Sequence, residues 1–208
     1  MDPMTIDEQG LRYAAQDGDL TRLRALLAKG VHVDARESGR RMNRTALHYA
    51  AMNGHTACLG ALLAAGASAD SVDDAGMTAL HDASVNDRVA CVRALLATGV
   101  NVDAREYFDL YTALACALEK GHRRVLKILL RAGATMRLTT GLSRVERTDR
   151  NTSAWAIFDA IRAAGGWGNY VTRRRTILVR AISDATGRRF PDVINMEIIS
   201  FAEPPGGY

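Results

Sequence analysis

Apolar and polar positions recur along the first two-thirds of this chain with a long period. Four segments align without gaps: Leu11-Arg-Tyr-Ala-Ala-Gln-Asp-Gly18, Leu47-His-Tyr-Ala-Ala-Met-Asn-Gly54, Leu80-His-Asp-Ala-Ser-Val-Asn-Asp87 and Leu114-Ala-Cys-Ala-Leu-Glu-Lys-Gly121. Fifteen residues after each leading leucine stands a pair, Leu26-Leu27, Leu62-Leu63, Leu95-Leu96 and Leu129-Leu130. A glycine follows each pair, at Gly30, Gly66, Gly99 and Gly133, so leucine, pair and glycine recur together at a nearly constant interval. Thr45, Thr78 and Thr112 stand two residues before a leading leucine, where a hydroxyl can cap a helix N-terminus. The glycine after each Leu-Leu pair suits a left-handed helix stop. Each unit therefore reads as two short antiparallel helices and an extended connection. One unit cannot bury its apolar face alone, so neighbouring units must stack.

The motifs Thr45-Ala-Leu-His48-Tyr-Ala and Thr78-Ala-Leu-His81-Asp-Ala carry a further implication. Together with the length of the period they resemble the ankyrin repeat, with alanine in place of the family's proline. The resemblance covers residues 11–139 and implies an all-α ankyrin-repeat solenoid of stacked helix-turn-helix units with extended loops. The expected division is a tail over 1–10 and repeats over 11–43, 44–76, 77–110 and 111–139. A linker over 140–152 and a C-terminal helical extension over 153–208 follow. Arg22 occupies the position of Cys58, Cys91 and Val125, which suits a polar outer cap on the first unit.

The composition adds little to this picture, but the charge distribution changes it. Apolar residues make up 48 % and aromatics 6 %, as in a globular helical protein. No apolar run approaches the length of a membrane span, and residues 1–10 lack the apolar stretch of a secretory signal. An intracellular protein, cytoplasmic or nuclear, is the expectation. Residues 1–119 hold 11 basic and 16 acidic side chains, whereas residues 120–190 hold 16 basic and 4 acidic ones. The basic stretch could meet an acidic partner or, as the least supported class, nucleic acid through Arg173-Arg-Arg175.

The reactive residues point away from catalysis. Cys58, Cys91 and Cys116 are odd in number and lack metal-ligand spacing; the first two, one repeat apart, fit one recurring core position. His48 and His81 fall in the repeat motif, where the resemblance implies backbone hydrogen bonds between units. His55 and His122 each follow the glycine between helices, and only His32 lies off the pattern. No phosphate-binding loop, nucleophile elbow or paired Cys-x-x-Cys is present. Neither a catalytic residue nor a metal or cofactor site is assigned.

The expected function is protein or peptide binding by a non-enzymatic, monomeric scaffold. In a stack of such units the loop tips and the exposed sides of the first helices form a concave wall, which the resemblance implies is the binding surface. Measured from Asp to capping Thr, the loop from Asp34 to Thr45 is the longest, that from Asp70 to Thr78 the shortest, and that from Asp103 to Thr112 intermediate. The first carries Arg36, Arg40, Arg41 and Arg44, the second Asp74 and Met77, and the third Tyr107, Phe108 and Tyr111. Arginine and aromatic side chains are enriched at interface hot spots. From the first helices Met52, Asn53, Val85, Asn86 and Glu119 are expected to face the same partner.

In the C-terminal third, helices are expected over Ser153–Ala164, Tyr170–Ser183 and Pro191–Ala202. The first, with Trp155, Phe158 and Ile161 on one face, is expected to cap the fourth unit. The other two are expected to close the solenoid as a helical hairpin with the arginines facing water. In the alternative reading they resemble in outline the helical boxes, of SOCS-box and F-box type, that attach ankyrin proteins to ubiquitin-ligase adaptors. Leu178, Ile182 and Phe190-Pro-Asp-Val-Ile carry that resemblance.

Overall fold

The computed structural model describes residues 6–36, 42–135 and 152–164. Eight helices form four consecutive pairs: α1 (Ile6–Asp17) with α2 (Leu20–Ala28), α3 (Ala46–Asn53) with α4 (Thr56–Ala64), α5 (Ala79–Val85) with α6 (Val89–Leu96), and α7 (Ala113–Lys120) with α8 (Arg123–Arg131). First helices pack on first helices along the series, and second helices on second helices, so each pair repeats the contacts of the one before. Among the described residues the only strand-like pairing is an isolated bridge between Val72 and Thr78. The repeat read from the sequence is an all-α stack.

The core lies between the two helix layers. Leu11, Leu47, Leu80 and Leu114 are buried, as are Leu26, Leu62, Leu95 and Leu129, the first members of the four leucine pairs. The second members Leu27, Leu63 and Leu96 are half-buried, and only Leu130 is fully covered. Each buried leucine contributes about 2 kcal/mol, and no unit holds enough of them to fold alone. Cys58 and Cys91 fill equivalent core positions in α4 and α6. Helix α1 begins at Ile6, inside the span expected to be a tail. Asp7 and Glu8 favour the positive end of the helix, and Gly10 and Leu11 are already buried.

A ninth helix, α9 (Thr152–Ala163), follows close to the expected position, with Trp155 and Phe158 buried and Asp159 paired to Arg162 at 3.2 Å. The side chain of Ile161, the helices expected over 170–183 and 191–202, and the box-like segment all lie outside the described residues.

The turn inside each helix pair needs one left-handed residue. Three units use glycine, Gly18, Gly54 and Gly121; the third unit places Asp87 there with φ +55°. At Gly18 a Cβ would fall 2.5 Å from Nδ1 of His55, whose ring bridges two units. Gly18→Ala is therefore expected to lower stability by about 1–3 kcal/mol, through left-handed strain and collision together. Asp87→Gly should raise it by about 0.5 kcal/mol, because relief of strain slightly exceeds the added chain entropy. Urea unfolding of both variants measures this; shifts of the same sign would contradict the assignment of the turn.

Candidate binding surface

Four of the five histidines are joints between units. The Thr45 backbone N–H donates to Nδ1 of His48 at 3.3 Å, which leaves the ring proton on Nε2 to donate to the Met77 carbonyl at 3.0 Å. His81 repeats this with Thr78 and the Tyr111 carbonyl, at 3.2 and 3.1 Å. Burial pushes His48 down to about 4, against the smaller opposing effects of its bond to Met77 and the charge of Asp73. His81 is lowered for the same first cause. At the helix turns His55 and His122 reach back to the carbonyls of Gln16 and Val85 at 3.0 and 2.9 Å. Arg88 does the same for the Met52 carbonyl at 3.0 Å. Burial likewise raises all three thiols, Cys116 to about 12, so none offers a thiolate.

Carboxylates organise the loops. Asp34, Asp70 and Asp103 accept the backbone N–H of Ser68, Asn101 and Thr135 in the following unit, at 2.8–3.1 Å. Asp73 Oδ1 folds the second loop by accepting from Ala75 and Met77, both at 2.9 Å. Glu106, at the matching place one repeat later, folds the third loop by accepting from Phe108, Asp109 and Tyr111 at 2.8, 2.6 and 3.0 Å. The third loop is one residue longer than the second, and its acid is one methylene longer. Burial would raise the Glu106 carboxyl, but the three backbone N–H groups outweigh it and hold it below the usual range. Adjacent tips also bond directly: Asp74 N–H donates to the Met42 carbonyl at 3.0 Å, and Tyr107 N–H to the Ala75 carbonyl at 2.8 Å.

Against this frame the predicted residues separate. Tyr107 and Phe108 are 62 % and 75 % exposed, with Met42 at 47 % on the same row of tips. The Tyr107 ring lies against Gly76, where a Cβ would meet it at 2.6 Å. Tyr111 is half-buried, and Asp74 is exposed. Arg36 is exposed and donates to the Val72 carbonyl at 2.6 Å, so it clasps two loops together. Met52, Asn53, Met77, Val85, Asn86 and Glu119 are half-exposed. Of these, Asn53 also bonds the Gln16 carbonyl at 3.2 Å, Asn86 the Asp82 carbonyl at 2.8 Å, and Glu119 pairs with Lys120 at 3.1 Å. Arg40 and Arg41 lie outside the described residues.

Arg44 departs from its expected place among partner-facing arginines. Its Nε pairs with Asp73 at 3.1 Å and its Nη2 with Asp82 at 3.2 Å, so it ties loops and helix together from inside. The sequence reading missed this because it grouped the arginines by loop. Asp82 sits where other units have Tyr13, Tyr49 and Cys116, and that break in the repeat was the available signal. The loop-folding roles of Asp73 and Glu106 were missed too, though an acid three residues after Asp70 and after Asp103 marks both.

The protonation of His48 generates a test. As pH falls, the unfolded chain takes up the proton near 6.5 while the folded chain resists until about 4. The contribution of neutral His48 is thus complete above 6.5 and is lost between 6.5 and about 4. Asp82, held up to about 7 by burial, acts in the opposite sense. In an Asp82→Asn chain, where that opposition is gone, denaturant unfolding at pH 7 and pH 4 should show a loss of about 3 kcal/mol from His48, to which His81, lowered by the same burial, adds in the same sense. A flat profile would show that the ring titrates normally.

Comparison with known families agrees with the repeat. Residues 11–106 match the family model described as ankyrin repeats, in 3 copies. The fourth helix pair, α7 and α8, lies beyond the matched residues. No curated protein matches the chain.

Proposed function

We propose, from the premise that this chain is an ankyrin-repeat protein over residues 11–106, that it is a scaffold which captures another protein with its loop tips and first helices. Ankyrin repeats generally mediate protein–protein interaction, and the family is typically a non-enzymatic module. The finer reading is that the third loop supplies the anchor. What supports it is the combination of exposure and rigidity at that tip. Phe108 and Tyr107 are the two most exposed aromatic side chains among the described residues, yet their loop is pinned by three hydrogen bonds to Glu106.

Leu110 adds to this support. It adopts φ +57°, a left-handed backbone that bulky side chains avoid, at the place where the second loop uses Gly76. Strain of this kind costs about 1–2 kcal/mol and persists where the surroundings over-determine it. A pre-ordered tip loses little conformational entropy when a partner covers it. Met42, on the first tip of the same row, adds an exposed apolar side chain, and Asp74 on the second tip and Arg36 supply charge. Met52, Asn53, Val85, Asn86 and Glu119 would line the floor.

Full-length protein used as bait should capture a partner from extracts of the cell that makes it. Tyr107→Ser with Phe108→Ser should weaken that capture by about 100-fold or more, since two buried aromatic anchors contribute about 2 kcal/mol each. Far-ultraviolet circular dichroism should be unchanged, because neither ring belongs to the helical core. Capture that survives the double change at full strength would remove the third loop as anchor.

A further inference from the structure

Arg44, Asp73 and Asp82 form a charge cluster beneath the loops, and its charges do not cancel. One guanidinium meets two carboxylates, at 3.1 and 3.2 Å, and all three side chains are largely shielded from water. Neither exception to the repeat recurs: Arg44 is replaced by Met77 and Tyr111 in the next two units, and Asp82 by Tyr49 and Cys116 in its neighbours. Two departures from a repeating pattern that meet in space are coupled.

The two carboxylates are not equivalent. Asp73 uses Oδ1 for the Ala75 and Met77 N–H groups and Oδ2 for Arg44, so a proton there would displace bonds that fold the second loop. Asp82 uses Oδ1 for Arg44, while its Oδ2 is buried with no hydrogen-bond partner. The surplus negative charge therefore has one place to be neutralised. Burial raises the Asp82 carboxyl to about 7; Arg44 opposes that rise by favouring ionisation, and Asp73 adds to it.

Among the described residues Arg44 is the cation whose charge acts on Asp82; α6 also carries Arg93, and Arg88 at its start, whose guanidinium donates to the Met52 carbonyl. From α3 come Tyr49, beside the guanidinium, and neutral His48. Helix α7 contributes Cys116, a neutral thiol that senses Asp82, with Glu119 and Lys120 paired to each other further along. His81, one residue before Asp82, is held neutral, and Glu106 of the third loop acts on it. Helix α6 packs on α5 with Cys91, Val92 and Leu95 buried.

We propose that these three residues are a proton-sensitive clamp on the first loop: ionised Asp82 locks Arg44 to the floor, and uptake of one proton at Asp82 Oδ2 releases that hold. Arg44 ends the first loop, and two residues earlier the Met42 carbonyl receives the Asp74 N–H. The seating of the first tip on the second thus rests on Arg44 at one end of the loop, as it does on the Arg36 bond to the Val72 carbonyl at the other. With Asp82 neutral, Arg44 keeps Asp73 as its ionic partner and its contact with Met52 Sδ at 3.4 Å, and its tie to α5 weakens from an ion pair to a neutral contact. The exposed tip side chain Met42 then gains freedom relative to Tyr107. The clamp bears on the surface proposed above, but its readout needs no partner, so either reading can fail without the other.

The test is hydrogen exchange of the Asp74 amide by nuclear magnetic resonance in the full-length protein, corrected for intrinsic rates, between pH 6 and pH 8. Protection should rise about tenfold across that interval, the difference between a charged and a neutral hydrogen bond to Arg44. Asp82→Asn, which mimics the protonated form, should show low protection that does not change with pH. A wild-type amide with constant protection, or an Asn variant that keeps the pH response, would overturn the clamp. The carbon-13 shift of the Asp82 carboxyl in the unmodified protein is the independent check. A step in that interval, in parallel with the Asp74 amide, supports the proposal, and a carboxyl ionised from pH 5 upward refutes it.

Discussion

The register of this structure depends on side-chain bonds between adjacent units that recur from one unit to the next. The paired helices are only seven to twelve residues long, shorter than a helix needs to persist alone in water. Their loops carry backbone groups that no sheet satisfies. The chain solves both problems with side chains that reach into the next unit. His48 and His81 hold the loops ahead of them, Asp34, Asp70 and Asp103 hold the next loop's N–H groups, and His55, Arg88 and His122 hold the carbonyls behind. Leucine burial supplies most of the stabilising free energy, but these polar joints set the register between layers.

The same joints explain why net charge misdescribes the surface. Residues 1–119 carry five more acids than bases. Yet Asp19 caps α2, Asp34, Asp70 and Asp103 bind backbone between units, Asp73 and Glu106 fold loops, and Asp82 faces Arg44. Much of the acidic excess is therefore engaged by backbone N–H groups and one guanidinium, with Asp73 and Asp82 buried and Asp19 and Asp70 exposed. Among the described tip residues, Met42, Tyr107 and Phe108 stand exposed beside the charged side chains Arg36, Asp74, Arg105 and Asp109.

Loop variation is where the units differ in use. The second and third loops share one device, an acid that gathers its own backbone, yet they end in different surfaces. The shorter loop turns at Gly76 and buries Ala75; the longer one accepts strain at Leu110 and leaves Phe108 standing in solvent. The first loop is held differently, by Arg44 and Arg36 acting across to the second. One scaffold thus presents three chemically distinct tips at fixed spacing.

The fold class was legible in the sequence because its causes are local and repeated. Period, cap threonines, leucine pairs and glycine stops each have a short-range physical meaning, and four copies reinforce one another. The exposed aromatics Tyr107 and Phe108 were legible too, since one short loop holds more apolar rings than it can cover. The fate of Arg44 was not, because its partners Asp73 and Asp82 belong to the next loop and the next helix pair, and only stacking brings them together. Nor was the start of α1, where burial of Gly10 and Leu11 extends the helix beyond the repeat motif. Patterns at fixed offsets determined which elements form and how they stack. The three-dimensional packing alone decided which charges meet, which are neutralised inside, and which side chains are left facing water.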